Sequence, residues 1–188
     1  MKLWDAQLEG FREEARNMLQ FLPALIQPDP SLDALSRARQ IREGFKSVTA
    51  NAPRSEKAIA TTIPGPAGPI PARLFRPKGK ARGLYLHIHG GGWILGAPEM
   101  GDATNERFAE RFDLAVLSVD YRLAPEHPFP AGLEDCLAAY RHLLDLGTDP
   151  KSIVIAGDSA GGGLTLSTLL ALRDDGDPMP AAAVVISP

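Results

Sequence analysis

Several features that would define other protein classes are missing from this 188-residue chain. A single cysteine, Cys136, excludes an internal disulfide. Twenty basic residues against 23 acidic ones give a net charge of −3, which argues against nucleic-acid binding. The charged N-terminus lacks the apolar core of a signal peptide, and no apolar run approaches membrane-spanning length. These absences predict a cytoplasmic protein with neither a membrane span nor a nucleic-acid partner.

Apolar runs and helical patterns alternate through the second half of the chain. We predict strands near 83–88, 114–119, 152–156 and 182–187, and helices near 101–112, 132–146 and 161–174. This alternation predicts an α/β fold, a mostly parallel sheet with helices on both faces. Right-handed crossovers then bring the carboxyl ends of the strands to one edge. Upstream, proline-rich sequence predicts two antiparallel strands near 57–63 and 70–76.

The N-terminal residues have a different, purely helical pattern. Apolar residues at helical spacing predict an amphipathic helix over 3–22. After a proline break, Ser31 is predicted to cap a second helix. Its apolar face comprises Leu32, Leu35, Ala38, Ile41 and Phe45. We therefore divide the chain into a helical segment, 1–50, and an α/β core, 51–188.

The pentapeptide Gly157-Asp158-Ser159-Ala160-Gly161 fits the pattern G-x-S-x-G. It lies between a β-branched run and a helical run, where a strained strand-to-helix turn presents a nucleophilic serine. Flanking glycines allow the neighbouring elements to approach closely. The Ala160 amide and the helix N-terminus can stabilise an oxyanion beside Ser159. Nucleotide-binding alternatives fit poorly, because no lysine follows the glycines and the spacing is not G-x-G-x-x-G.

A second glycine cluster, His89-Gly90-Gly91-Gly92-Trp93, follows the apolar run near 83–88. Three glycines let the backbone turn its amides toward one point, as in the loop that completes an oxyanion hole. The alternative is a flexible glycine turn. The two motifs occur in the order and context that the oxyanion-hole interpretation requires.

With these motifs, the chain resembles the hormone-sensitive-lipase-like esterases, bacterial family IV, of the α/β-hydrolase fold. The segment Asp120-Tyr121-Arg122-Leu123-Ala124-Pro125-Glu126-His127-Pro128-Phe129-Pro130-Ala131 also resembles a family signature. The resemblance implies a serine ester hydrolase that acts on short to medium acyl esters without a cofactor. It also implies that the N-terminal helices form part of a cap over the acyl-binding cleft, the alternative being simple packing on the sheet.

The resemblance assigns roles to individual residues. Ser159 is the expected nucleophile, and the amides of Gly91, Gly92 and Ala160 are the expected oxyanion hole. His89 and Asp158 are expected to support this arrangement. Trp93 is expected either to line the substrate cleft or to pack internally.

The acid and the histidine of such a mechanism are not found after Ser159. All four histidines precede it, and Asp174, Asp175 and Asp177 fit a solvated helix end. The run 182–187 is predicted to be an apolar edge strand, open to self-association or to pairing with a C-terminal fragment. We therefore expect a truncated esterase, nearly inert by itself, because loss of the histidine costs roughly six orders of magnitude in turnover.

Two other functions stay open. Without the histidine, the chain can be a non-catalytic binding module, since the family resembles the plant gibberellin receptor. Alternatively, a second chain supplies the missing strands, as in a split enzyme. A metal site is not expected: His87 and His89 have no third ligand nearby, and His87 fits a packed strand residue. Cys136 is predicted to be a core residue on an apolar helix stripe.

Overall fold

The computed structural model describes residues 29–49 and 54–188. The chain divides into two compact units, residues 1–50 and residues 51–188, which we describe separately. The helix predicted over residues 3–22 lies outside the described residues. None of the helices in the described ranges is long and apolar enough to cross a membrane.

The first unit contains helix α1 (Ala34–Thr49). Its first turn is capped by Asp33, whose carboxylate accepts a hydrogen bond from the Ser36 amide at 2.9 Å. The prediction that Ser31 caps this helix is therefore wrong. The Ser31 amide and hydroxyl instead donate to the Asp29 carboxylate, at 2.8 and 2.6 Å, in the turn before the helix. Both serine and aspartate are good caps, and the position of the preceding turn selects between them.

The second unit is built on a six-stranded sheet with the order β1-β2-β4-β3-β5-β6. The strands are β1 (Ile59–Ile63), β2 (Ile70–Phe75), β3 (Gly83–Ile88), β4 (Leu114–Val119), β5 (Ile153–Asp158) and β6 (Ala182–Ile186). Strand β2 is antiparallel to both its neighbours, while the other pairs are parallel. Every predicted strand is confirmed, with small changes at the ends. In the register of the paired strands, Ile88 lies opposite both Val119 and Gly157. Strands β3, β4 and β5 therefore end together at one edge of the sheet.

Three helices cover the two faces of this sheet: α2 (Asp102–Phe112), α3 (Ala131–Asp145) and α4 (Ala160–Asp175). Alternate strand residues point to opposite faces. On one face, Leu86 and Leu117 pack in a core with residues of α3 and α4. On the other face, Val116 packs with Ala109 of α2. The predicted α/β class is confirmed, and so is Cys136 as a fully buried core residue.

A buried carboxylate joins the start of α2 to the antiparallel strand β2. Asp102 is fully buried and accepts two hydrogen bonds from the Arg73 guanidinium, one of them from Nε at 2.8 Å. It also accepts the amide of Ser55 at 2.9 Å. Three donors thus converge on one charge, and the arrangement depends on the charge being present.

We expect Asp102→Asn to lower the free energy of unfolding of the 188-residue chain by about 2 kcal/mol, because it leaves the mostly buried Arg73 with only the more distant carboxylate of Glu99, 3.7 Å away, as a counter-ion. The matched control is Asp174→Asn, because Asp174 pairs with the exposed Arg173 at the surface. This substitution should change the free energy of unfolding by less than about 0.5 kcal/mol. Urea denaturation followed by circular dichroism measures both. Equal effects of the two substitutions would show that the buried pair adds nothing beyond a surface pair.

Candidate active site

The turn between β5 and α4 holds Ser159 in a strained conformation. Ser159 has φ 49° and ψ −123°, which non-glycine residues rarely adopt. Its amide donates to the carbonyl of Ile186 in β6 at 2.8 Å, and its own carbonyl accepts the Gly163 amide at 3.0 Å. The side chain is exposed. The expected strained turn is therefore present, and it places Ser159 at the N-terminus of a helix.

The end of β3 packs directly onto this turn. A Cβ atom added to Gly161 would lie 2.1 Å from the carbonyl oxygen of Ile88 and 2.6 Å from that of His89. A Cβ on Gly157 would lie 2.4 Å from the backbone of Gly161. Both positions therefore require glycine, as expected for a close approach of strand and helix. The sequence predicted close packing of β5 and α4, but it did not show that the end of β3 packs against the same turn. Strand β3 leads into the second glycine motif.

The loop after β3 exposes backbone donors. Three consecutive residues, Gly91, Gly92 and Trp93, have positive φ angles of 134°, 60° and 62°. The Gly91 carbonyl is turned into the loop and accepts hydrogen bonds from the amides of Ile94 and Leu95. Within residues 29–49 and 54–188, the Gly91 and Gly92 amides have no acceptor. These two amides are available to bind an oxyanion.

The amide of Ala160 is a third available donor. Ala160 is the first residue of α4, so its N–H group has no acceptor within the helix. The positive end of the helix dipole lies at the same point and favours negative charge there.

His89 supports the glycine loop rather than facing solvent. Its Nδ1 lies 2.8 Å from the Gly90 carbonyl oxygen, and its ring stacks on Tyr121 with 4.3 Å between ring centroids. Burial lowers the pKa of His89 and keeps the imidazole neutral. The Tyr121 hydroxyl donates to the His89 carbonyl at 2.9 Å, and the Ala124 amide donates to the Trp93 carbonyl at 2.9 Å. Sequence reasoning missed both contacts, although both residues belong to the signature segment 120–131.

Asp158 and Trp93 each lie close to a glycine of this arrangement. Asp158 is exposed at the end of β5, and its Oδ2 would be 2.6 Å from a Cβ on Gly90. The Trp93 indole is half-exposed and lies against the first turn of α4 at Gly163. The structure thus brings both residues to the edge that carries Ser159.

One acidic group at this edge titrates near neutral pH. Asp120 follows β4 and is half-buried. Burial raises its pKa to about 6, and the negative charge of Glu99 adds to this effect. Asp120 therefore holds its proton to a higher pH than an exposed aspartate does.

The other singled-out histidine has a structural environment. His87 Nδ1 lies 2.8 Å from Ser118 Oγ and 3.2 Å from Asn105 Nδ2, and burial lowers the pKa of His87 to about 4. His87 is thus a packed strand residue, as predicted, and its partners differ from those of His89. Across the described ranges, no three His, Cys, Asp or Glu side chains are placed to hold a metal ion.

Comparison with known proteins agrees with this geometry. Residues 85–188, more than half of the chain, match a family described as having the alpha/beta hydrolase fold. The chain belongs to the α/β-hydrolase family. This α/β hydrolase is 34% identical to an esterase from the bacterial hormone-sensitive lipase family, with a TM-score of 0.74 over 93% of this chain and 56% of that structure. The predicted resemblance to that branch is confirmed.

Other relatives have ester-hydrolase names. The hyperthermophilic esterase of Pyrobaculum calidifontis is 39% identical, with a TM-score of 0.74 over 89% of this chain and 55% of that one. An acetyl-hydrolase of Streptomyces hygroscopicus is 46% identical over 64% of this chain and 40% of its own length. The carboxylic ester hydrolase LipN of Mycobacterium tuberculosis is 44% identical over 68% of this chain and 36% of its own. The α/β hydrolase thus spans about two fifths of these two curated relatives.

Proposed function

We propose that this α/β hydrolase cleaves carboxylic esters through an acyl-enzyme on Ser159. Ser159 Oγ attacks the ester carbonyl and gives its proton to a base. The tetrahedral oxyanion collapses, the alcohol leaves with that proton, and water then releases the acid and frees the serine. The observation that supports this most strongly is the contact of Gly161 with the end of β3, because it joins the strained serine turn to the glycine loop.

The oxyanion in this proposal is held by backbone amides of Gly91, Gly92 and Ala160. The first two have no other acceptor in the described part of the chain, and the third is a free donor of the first turn of α4. Donors that are fixed before the reaction need no reorganisation, and each contributes roughly two to three orders of magnitude in rate. His89 and Tyr121 act on the reaction only by holding the loop.

We propose that the base and its acid partner come from polypeptide outside residues 1–188. Residues 160–188 contain no histidine. Of the histidines before Ser159, His87 and His89 are engaged with partners of their own, and burial lowers the pKa of each, which makes each a weaker proton acceptor. The solved relatives have roughly twice the length that this chain covers.

The edge strand β6 offers a place for that additional polypeptide. Its Val184 and Ile186 side chains are 49% and 59% exposed. In α4, Leu166 and Leu170 are also exposed. An apolar edge strand is a template for a further strand. A strand added there would approach Ser159, because the Ile186 carbonyl accepts the Ser159 amide.

The substrate in this proposal is a small, uncharged ester with a short to medium acyl chain. The names of the relatives include acetyl-hydrolase and carboxylic ester hydrolase. All three oxyanion donors belong to the backbone, so the proposed chemistry uses no cofactor. The half-exposed Trp93 provides an apolar surface for the substrate.

The first test is hydrolysis of p-nitrophenyl acetate and butyrate by the purified 188-residue chain and by its Ser159→Ala variant. We expect equal, slow rates in the two proteins, because without a base the serine cannot contribute and only oxyanion-hole and binding effects are left. Serine-dependent turnover by this chain would contradict the placement of the base outside it. The nucleophile is then tested with the same substitution in a form that contains a base.

A further inference from the structure

Gly163 and Trp93 meet beside the proposed nucleophile. Gly163 lies in the first turn of α4, and a Cβ added to it would be 3.4 Å from Cζ2 of the Trp93 indole. Within the described residues, no other atom outside the local helix backbone lies within 4 Å of that position. The indole therefore covers a helix surface that glycine leaves flat.

This contact is one helical turn from Ser159. The Gly163 amide donates to the Ser159 carbonyl at 3.0 Å, and four residues along a helix span about 6 Å. On the other side, the Trp93 backbone is held by its left-handed conformation and by the hydrogen bond from Ala124. The indole thus extends from the glycine loop to α4 while 52% of Trp93 stays exposed.

A methyl group at 3.4 Å would be in ordinary van der Waals contact with the indole. A larger side chain would occupy the space of the ring and displace it. Position 163 therefore controls where the indole lies.

We propose that Gly163 is a specificity-determining residue: it seats the Trp93 indole against α4, and the exposed indole surface binds the unbranched hydrocarbon group of the ester. This inference rests on the proposed ester-hydrolase function. A flat aromatic surface contacts an extended chain along its length, whereas a branched group contacts it at fewer atoms.

The test uses the 188-residue chain with Trp4→Phe and Ser159→Ala, which leaves Trp93 as the only tryptophan and prevents turnover. Methyl butanoate, methyl hexanoate and the branched methyl pivalate are titrated while Trp93 fluorescence is recorded. We expect methyl hexanoate to bind at least about threefold more tightly than methyl pivalate, since its extended chain contacts the indole along its length and the compact tert-butyl group does not. Ser167→Ala, one turn further along α4, should keep each affinity within about twofold.

Gly163→Leu is expected to shift the Trp93 emission to the red, because the displaced indole enters water, and to weaken methyl hexanoate binding about tenfold. Unchanged emission and affinity in a folded Gly163→Leu variant would overturn the proposal, as would the absence of any ester binding. If that variant does not fold, Trp93→Leu is measured by ligand-observed NMR. Retained preference for methyl hexanoate without the indole would also overturn it.

These outcomes separate the inference from the proposed function. Ester binding that depends on Trp93, with no serine-dependent turnover even when a base is supplied, would leave the inference standing and remove the catalytic proposal. Serine-dependent turnover with no effect of Gly163→Leu on chain preference would do the reverse.

Discussion

Ser159→Ala is expected to lower the turnover of a completed enzyme by about six orders of magnitude, as removal of the serine does in a comparable triad. The completed enzyme is a fusion of these 188 residues, at Pro188, to the C-terminal part of the Pyrobaculum calidifontis esterase, of which this chain covers 55%. Turnover of the Ser159→Ala fusion falls because alanine has no side-chain atom that can form the acyl-enzyme. Release of p-nitrophenol from the butyrate ester measures kcat.

A matched control lies on the same helix. Ser167 lies about two helical turns beyond Ser159 and donates its hydroxyl to the Gly163 carbonyl at 3.0 Å. Ser167→Ala should leave kcat within about twofold of the unmodified fusion, because it removes only a local hydrogen bond. Circular dichroism establishes that each fusion is folded. A folded fusion whose turnover does not depend on Ser159 would remove the serine from the mechanism.

The pattern of strands and helices could be predicted from the sequence because it depends on local periodicity. The runs that form β3, β4 and β5 are short and apolar. In the helices between them, apolar residues recur every three to four positions. The two glycine motifs could likewise be placed at strand ends. Right-handed connections then put them at one edge, where the structure has them.

The contacts that hold the site together could not be predicted, because they join residues far apart in the sequence. The hydrogen bond from Tyr121 to the His89 carbonyl spans 32 positions. Tyr121 is itself a buried core residue, and nothing in the local pattern around it indicates that its hydroxyl reaches the His89 carbonyl. The contact of Trp93 with Gly163 could not be predicted either, because glycine has no side chain whose type would indicate its neighbour. The prediction of the α1 cap was wrong for a local reason. Ser31 and Asp33 are both acceptable capping residues, but Ser31 donates its hydrogen bonds to Asp29, and Asp33 caps the helix.

Gly161→Ala is expected to lower the free energy of unfolding by at least about 3 kcal/mol, a cost at the upper end of overpacking effects. Its Cβ would lie 2.1 Å from the Ile88 carbonyl oxygen, a backbone atom that no side-chain rotation can move. Strand β3 cannot yield, since it is paired with β4 on one side and β5 on the other. Retreat of the helix would also pull the Ser159 amide away from the Ile186 carbonyl, to which it donates a hydrogen bond at 2.8 Å.

The matched control for this substitution is Gly163→Ala, two residues further along α4. Its Cβ meets only the Trp93 indole, at the distance of ordinary contact. It should raise the free energy of unfolding by about 0.5 to 1 kcal/mol, because alanine favours the helix over glycine. Urea denaturation of the 188-residue chain measures both. Opposite signs for two identical substitutions in one helical turn would locate the cost at the contact with β3, whereas similar small changes would mean that β3 does not press on the serine turn.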